Sequence, residues 1–455
     1  MILPVISSVL GIIAFNANFY PLIFLALVPL FLFFLREDNF WKLIIGAVLF
    51  RLIFAFGTVY FVLDPFLYGL SILIFIGLPV SVYLVKKFLP DYVVYFLLPV
   101  LWVFWDYLES QYTLLPMTIV VFGNALANSP FLGLARYGGV IGLAMFTAVA
   151  NIIFTVAVNF RKSGFYLIFW IAVAAFFLII GFIFSKILIH KNAEDYALKN
   201  RIARVALMSV SDEENNFDGA FSVFILPENT DLLIMPEDLY PHDIKNYQEA
   251  INAYSGIAKN SKVAVSAATT RFDQLNGGGN LYKSSLVFSK NGEIAGIYDK
   301  VNRTITSEYW PFDNWRPFYF DFYLKQLTNL EEKNRAIFDS EYQYQKGKEN
   351  LLEAGGFSFA SLICIEGHYP FYVKKLSDMG ADFISFNSNN KWIKQGIGQY
   401  LRLTNNLRKI EAVWLNKPIL INGIMDYAGV ILPDGTLDLK AAANGRIIFE
   451  TEIRY

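Results

Sequence analysis

The sequence predicts a multi-span α-helical membrane domain over residues 1–190, followed by an α/β domain over residues 196–455. Three observations carry this. Composition divides the chain near His190: before it lie long apolar runs such as Leu43–Leu63 and Gly164–Phe184, and after it acids and bases are interspersed at ordinary globular density. Lysine and arginine in the first part concentrate in alternate loops, with Arg136, just beyond an outer loop, and Lys186, near the end of the last span, as exceptions. The second part alternates short buried strands with amphipathic helical stretches.

Crossing a bilayer takes about 20 apolar residues, and seven segments qualify: 1–16, 19–35, 40–63, 67–85, 92–109, 132–159 and 164–189. Met1–Phe15 has neither a basic amino-terminal region nor a small-residue cleavage site, so it reads as a retained anchor. Arg36 and Lys42, Lys86 and Lys87, and Arg161 and Lys162 fall in one set of loops. The other set, around Asn16–Asn18, Asp64–Phe66 and Glu109–Pro130, has none. The positive-inside rule then places the amino terminus in the cytoplasm and everything after Lys191 outside, in the periplasm or beyond the cell. Arg51 sits within the third span, where a charge is often functional but equally snorkels or pairs with a carboxylate such as Asp106. Glu109–Pro130 is apolar but broken by Pro116, Gly123 and Pro130, which suits a re-entrant or interfacial segment. The formal net charge of −1 says nothing about nucleic acid, and no basic patch suggests a nucleic-acid partner.

In the second domain Ile202–Val210 reads as a strand, and Asp231–Met235 as a second that stops at Pro236-Glu237-Asp238. A helix over Ile244–Lys259 leads to a strand at Val263–Ala267. Ser284–Ser289 and Glu293–Tyr298 flank Asn291-Gly292, a strong hairpin signal, and the hairpin runs out at Asp299-Lys300. Phe357–Cys364 is a buried strand. It is followed by a helix at Pro370–Met379, a strand at Asp382–Asn387, a helix at Gln399–Leu415 and an apolar run Pro418–Leu432.

Glu237, Lys300 and Cys364 therefore each stand at the end of a buried strand, and strand ends on one sheet edge converge. Cys364 is the single cysteine of the chain. A lone cysteine is usually a small buried hydrophobe, but an unpaired thiol facing an oxidising compartment is better explained as a nucleophile. A thiol titrates near 8.5 and needs a base or a cation. Glu237 suits the first role and Lys300 the second, with Lys300 also placed to stabilise an oxyanion. His368 offers a Cys–His alternative, although a residue four along in a turning loop rarely points back.

This pattern resembles the carbon–nitrogen hydrolase (nitrilase) superfamily: Pro-Glu after a strand, lysine after a hairpin and cysteine after a third strand. Seven spans ahead of such a domain resemble the apolipoprotein N-acyltransferase family. Further fragments follow the family's order: Glu308-Tyr309, Glu366 two past Cys364, Asn389-Asn390 with Trp392, and Tyr282-Lys283-Ser284 where the family has Tyr-Asn-Ser. Trp105, Glu109, Asn128-Ser129-Pro130, Gly138-Gly139-Val140, Gly142 and Asn151 do the same in the membrane part. The sequence departs from the pattern at Met117, at Ile421–Tyr427 and at Trp414, where the family's late-helix glutamate is replaced and Glu411 lies one turn earlier.

The resemblance implies an αββα sandwich outside the membrane and a Glu237–Lys300–Cys364 triad. It also implies supporting or substrate-binding roles for Glu308, Glu366, Tyr309, Asn389 and Trp392, with Glu308 and Glu366 orienting Lys300 and the substrate amine. The implied partners are a membrane phospholipid as acyl donor and a diacylated apolipoprotein as acceptor, handled by a monomer with no cofactor or metal, in the bacterial cytoplasmic membrane. Tyr309–Phe312 and Trp392-Ile393 read equally as lids and as core. The alternatives are a membrane-anchored amidase, an acyltransferase with another amine acceptor, and a non-enzymatic membrane protein with a degenerate outer scaffold.

Overall fold

The computed structural model describes residues 1–60, 69, 72–112, 116, 118–160, 163–211, 226, 229–239, 247–273, 280–305, 308–312, 315, 344–393, 395–441 and 445–455. The loop residues Asp64–Phe66, Arg161 and Lys162 and the departure at Met117 lie outside this set. The chain forms two compact units: Met1–Lys191 with Gly398–Trp414, and Asn192–Ile397 with Leu415–Tyr455.

The first unit is helical: α1 (Ile2–Asn16), α2 (Ile23–Ala26), α3 (Val28–Arg36), α4 (Phe40–Val59), α5 (Gly77–Phe88), α6 (Asp91–Tyr112), α7 (Gly139–Asn159) and α8 (Gly164–Ala197). Among the described residues four helices, α4, α6 from Tyr92, α7 and α8, are long and apolar enough to cross a membrane. α1 and the apolar stretch Tyr20–Arg36 are shorter. The expected span 19–35 is broken, with a 3-10 turn at Tyr20–Leu22 and a fresh start at Val28, because Pro21 and Pro29 each begin a helical turn. The expected span 132–159 also begins late. Leu132–Tyr137 is 3-10, and α7 starts only at Gly139, whose φ of +57° favours glycine. Between α6 and α7 the broken segment forms 3-10 turns at Thr118–Val120 and Phe122–Leu126, and residues Ile119 to Ala127 are buried.

The helix Ile397–Leu415 belongs almost wholly to this unit rather than to a domain running unbroken from 196 to 455. Asn124 Nδ2 donates to the Leu403 carbonyl at 3.0 Å, and Asn128 Nδ2 to Asn406 Oδ1 at 2.9 Å. Arg402 Nη1 donates to the Phe15 carbonyl at 2.5 Å. A Cβ on Gly139 would lie 2.5 Å from the Trp414 ring, so glycine there is what lets the indole close on α7.

The second unit is built on one twelve-stranded sheet. Its strands are β1 (Ile202–Val210), β2 (Leu232–Met235), β3 (Ala264–Asp273), β4 (Asn280–Phe288), β5 (Ile294–Asp299), β6 (Leu352–Ala354), β7 (Phe357–Ile363), β8 (Phe383–Asn389), β9 (Ile419–Ile424), β10 (Tyr427–Ile431), β11 (Leu437–Ala441) and β12 (Arg446–Arg454). The main path runs β5-β4-β3-β2-β1-β9-β8-β7-β6. β1, β2 and β3 are parallel, as are β7, β8 and β9, while β3, β4 and β5 form an antiparallel meander.

The sheet curls until non-adjacent strands meet: Ser361 Oγ on β7 donates to Ser285 Oγ on β4 at 2.8 Å. One apolar core fills the inside, with Val205, Leu207, Ile234, Phe359 and Phe383 from both halves. A second core lies outside, where Ala250, Tyr254 and Ala258 of the helix Tyr247–Ser261 cover Met208, Met235 and Phe288. The helix Pro370–Asp378 packs along β7 and β8. Two sheet layers with a helix on each outer side are the αββα sandwich. The central strands are buried on both faces, which is why they read as unbroken apolar runs. The run Pro418–Leu432 is two antiparallel strands rather than one, because Met425 turns the chain with a φ of +53°.

Candidate active site

Three strand exits build the site. β2 ends at Met235 and the chain turns through Pro236-Glu237-Asp238, with Asp238 left-handed at φ +58° and its N–H donating to the Ala268 carbonyl at 2.9 Å. That turn buries Glu237, which is 4% exposed. β5 ends at Asp299, and the next N–H, of Lys300, donates to the Lys283 carbonyl on β4 at 2.7 Å. Lys300 is 1% exposed. β7 ends at Ile363, and Cys364 opens the 3-10 turn Cys364–His368 as a half-buried thiol. The φ of Cys364 is +53°, a conformation costing a non-glycine residue of order 1–3 kcal/mol and held only where surrounding structure imposes it.

Glu366 imposes it. Oε1 accepts from Tyr298 Oη at 2.7 Å, the Val301 N–H at 2.9 Å and the Asn302 N–H at 3.1 Å, and Oε2 accepts from the Ile363 N–H at 3.1 Å. One buried carboxylate thus ties the loop after Lys300 to the turn that carries Cys364. These bonds engage both oxygens, so Glu366 is a bracket between the two loops. Glu308 meets the expectation of a lysine partner in its geometry: Lys300 Nζ donates to its Oε1 at 2.7 Å and to Thr304 Oγ1 at 3.2 Å. Glu308 Oε2 accepts from the Thr304 N–H at 2.7 Å.

The other expected residues lie around this core. Tyr309 is half-buried with the Arg303 guanidinium 4.4 Å from its ring centroid. Its neighbour Trp310 is 2% exposed, its Nε1 donating to the Trp315 carbonyl at 2.8 Å, which makes that residue core rather than lid. Asn389 ends β8 and its Oδ1 accepts from the Lys391 N–H at 3.2 Å. Trp392 is half-buried in the same turn, and Ile393 is buried. His368 is buried at the far end of the Cys364 turn.

Electrostatics joins the three exits into one group. Burial, and next the charge of Glu237, push the Cys364 thiol up to about 12, while Lys300 pulls it down. Burial likewise pushes Glu237 up to about 8, against the pull of Lys283 and Lys300 and with the push of Asp238 and Glu308. Burial disfavours the Lys300 ammonium, but Glu308, Cys364 and Glu237 outweigh it and hold Lys300 above its ordinary value. The resting thiol is therefore neutral. When Glu237 is ionised, which becomes the rule as the pH passes about 8, moving the thiol proton to it leaves the net charge of the buried pair unchanged, which suits proton transfer during attack better than a preformed thiolate.

Sequence reasoning missed three members of this group: Asp238, Thr304 and Lys283. Lys283 was within reach, since it stands where Tyr-Asn-Ser has its neutral residue.

Comparison with known proteins agrees with this architecture. Residues 7–153 match the family model of the apolipoprotein N-acyltransferase N-terminal domain, and residues 200–412 match that of carbon-nitrogen hydrolase. The chain is 24% identical to the apolipoprotein N-acyltransferase of Haemophilus influenzae, over 95% of this chain and 85% of that protein. It is 25% identical to that of Aquifex aeolicus over 48% of this chain, spanning 45% of that relative's length. Among solved structures it is similar to a carbon-nitrogen hydrolase from Helicobacter pylori G27, with 13% identity and TM-score 0.39 over 56% of this chain and 89% of that one. It is also similar to an amidase from Nesterenkonia sp., with 15% identity and TM-score 0.37 over 56% and 92%. The chain is a member of the carbon–nitrogen hydrolase superfamily that carries an apolipoprotein N-acyltransferase N-terminal domain.

Proposed function

We propose that this superfamily member is a membrane N-acyltransferase that moves a fatty acyl chain from a phospholipid, through a thioester on Cys364, to the α-amine of a diacylglyceryl-cysteine lipoprotein. The observation that carries the reading is a left-handed thiol at the end of β7, in one electrostatic group with a buried carboxyl and a buried ammonium. The matches to both family models, and to relatives named for this activity, support it.

In the first half-reaction Cys364 Sγ attacks the carbonyl carbon of the acyl ester while Glu237 takes the thiol proton. The Lys300 ammonium and a backbone N–H next to Cys364 hold the oxyanion of the tetrahedral intermediate. Collapse expels the lysophospholipid alkoxide, which takes the proton back from Glu237. In the second half-reaction the lipoprotein amine attacks the thioester, Glu237 accepts its proton, and the departing Cys364 sulfur recovers that proton. Glu308 keeps Lys300 charged and aimed, and Glu366 holds the two loops in register. With the amino terminus in the cytoplasm, as the loop charges indicate, this chemistry takes place on the outer face of the cytoplasmic membrane.

The test is to incubate the full-length protein in detergent with phospholipid and measure the mass of the Cys364 peptide, then add a diacylated lipopeptide. Wild type should gain a fatty acyl mass and pass it to the lipopeptide, and Cys364→Ala should do neither. Hydrolysis of an amide with no acyl adduct on Cys364 would establish the amidase reading instead.

A further inference from the structure

Lys283 lies on β4 as a second cation, 6% exposed, its carbonyl bonded to the N–H of Lys300. Its Nζ forms an ion pair with Asp238 Oδ2 and stands 3.7 Å from Glu237 Oε1. The Tyr344 ring centroid is 5.9 Å from the same Nζ. Tyr344 is itself fixed, by a hydroxyl contact to Thr270 Oγ1 at 3.0 Å and by its N–H, which donates to the Glu308 carbonyl at 3.0 Å. Glu237 Oε2, by contrast, is buried and has no hydrogen-bond partner among the described residues. The carboxyl is thus held on one side only.

We propose that Lys283 is a positioning residue of this site: with Asp238 as its counter-ion, it holds the Glu237 carboxylate by Oε1 and leaves Oε2 to receive the Cys364 proton. The proposal rests on Cys364 as nucleophile and Glu237 as its base. Glu237 and Asp238 are adjacent acids turned into one buried place, and two such carboxylates cannot both stay ionised without a cation between them. The charged groups acting on Glu237 are Lys283, Asp238, Lys300 and Glu308. Lys300 is held by Glu308 and pulls on Glu237 more weakly than Lys283 does, so Lys283 is the cation that chiefly supports the base.

The experiment follows alkylation of Cys364 by iodoacetamide in the full-length protein in detergent micelles between pH 6 and pH 10, read by intact mass. There is one cysteine, so the adduct that Cys364→Ala fails to gain under the same conditions reports on it. Wild type should react faster as pH rises through the range in which Glu237 loses its proton. Lys283→Met should move that midpoint up by about one unit or more, slowing alkylation at pH 7 about tenfold. Removing the stranded counter-ion as well, in Lys283→Met with Asp238→Asn, should bring the midpoint most of the way back. Lys283→Arg should keep it. An unchanged midpoint in Lys283→Met, or a double variant no faster than the single one, overturns the proposal. If Lys283→Met does not fold, Lys283→Arg and the double variant decide: midpoints near wild type support the proposal and displaced ones overturn it. Iodoacetamide needs neither phospholipid nor lipoprotein. A protein that alkylates as expected but never forms an acyl thioester would therefore defeat the acyltransferase reading and leave the role of Lys283 standing.

Discussion

Arg51 in the helical unit and Lys300 in the sandwich are both buried cations paired with a glutamate, and they are surrounded quite differently. Arg51 on α4 pairs with Glu109 on α6. Its guanidinium lies 5.5 Å from the Phe75 ring centroid, and Phe75 and Phe50 both pack against Trp102 with centroids 5.8 Å apart. Charge and counter-charge come from two helices. Lys300 pairs with Glu308 in the same way, but its group includes a thiol, a second carboxyl and a second lysine from four separate strands or strand exits. The helical pair, with buried Asp106 beside it, includes no nucleophile. An open group at strand exits has a proton to move and a half-buried sulfur to move it from.

Three substitutions break or sharpen this contrast. Glu237→Gln should lower acyl transfer by about 10²–10⁴-fold, the ordinary worth of a positioned general base. It should leave thermal unfolding unchanged or slightly higher, because a costly buried carboxyl is gone. Arg51→Met should do the reverse. Removing one partner of a buried ion pair costs about 3–5 kcal/mol, so the unfolding temperature should fall while the pH profile of Cys364 alkylation holds. If Arg51→Met displaced that profile, Arg51 would be part of the chemistry and the contrast would fail. Glu366→Gln falls between them. It keeps the side chain's shape but loses charge-assisted bonds worth about 1–3 kcal/mol. Because those bonds tie the Lys300 loop to the Cys364 turn, stability and alkylation rate should drop together, each modestly.

Much of the site was legible because its parts stand at places a sequence marks. Apolar runs end where polar residues and turn formers begin, so Glu237, Lys300 and Cys364 could each be assigned to a strand exit. Glu308 and Glu366 were legible as fragments, but the role of Glu366 was not. Its bonds reach Tyr298, Val301 and Asn302, more than sixty residues away, and only the folded sheet brings those donors to it. Lys283 was hidden for a related reason. Its side chain points into the sandwich because of the pleat of β4, and its partner Asp238 arrives from β2 across β3.

The amino-acid sequence by itself determined the two-part architecture, because the length and apolarity of a run are local properties. It also determined which strand ends carry a thiol, an acid and an amine. Tertiary structure alone decided that the helix Ile397–Leu415 joins the helical unit, since an amphipathic pattern states that a helix has a partner and not which one. It alone decided that Glu366 ties two loops together and that a second lysine stands beside the Glu237 carboxyl. Those depend on register between strands far apart in the chain, which hydrophobic spacing does not encode.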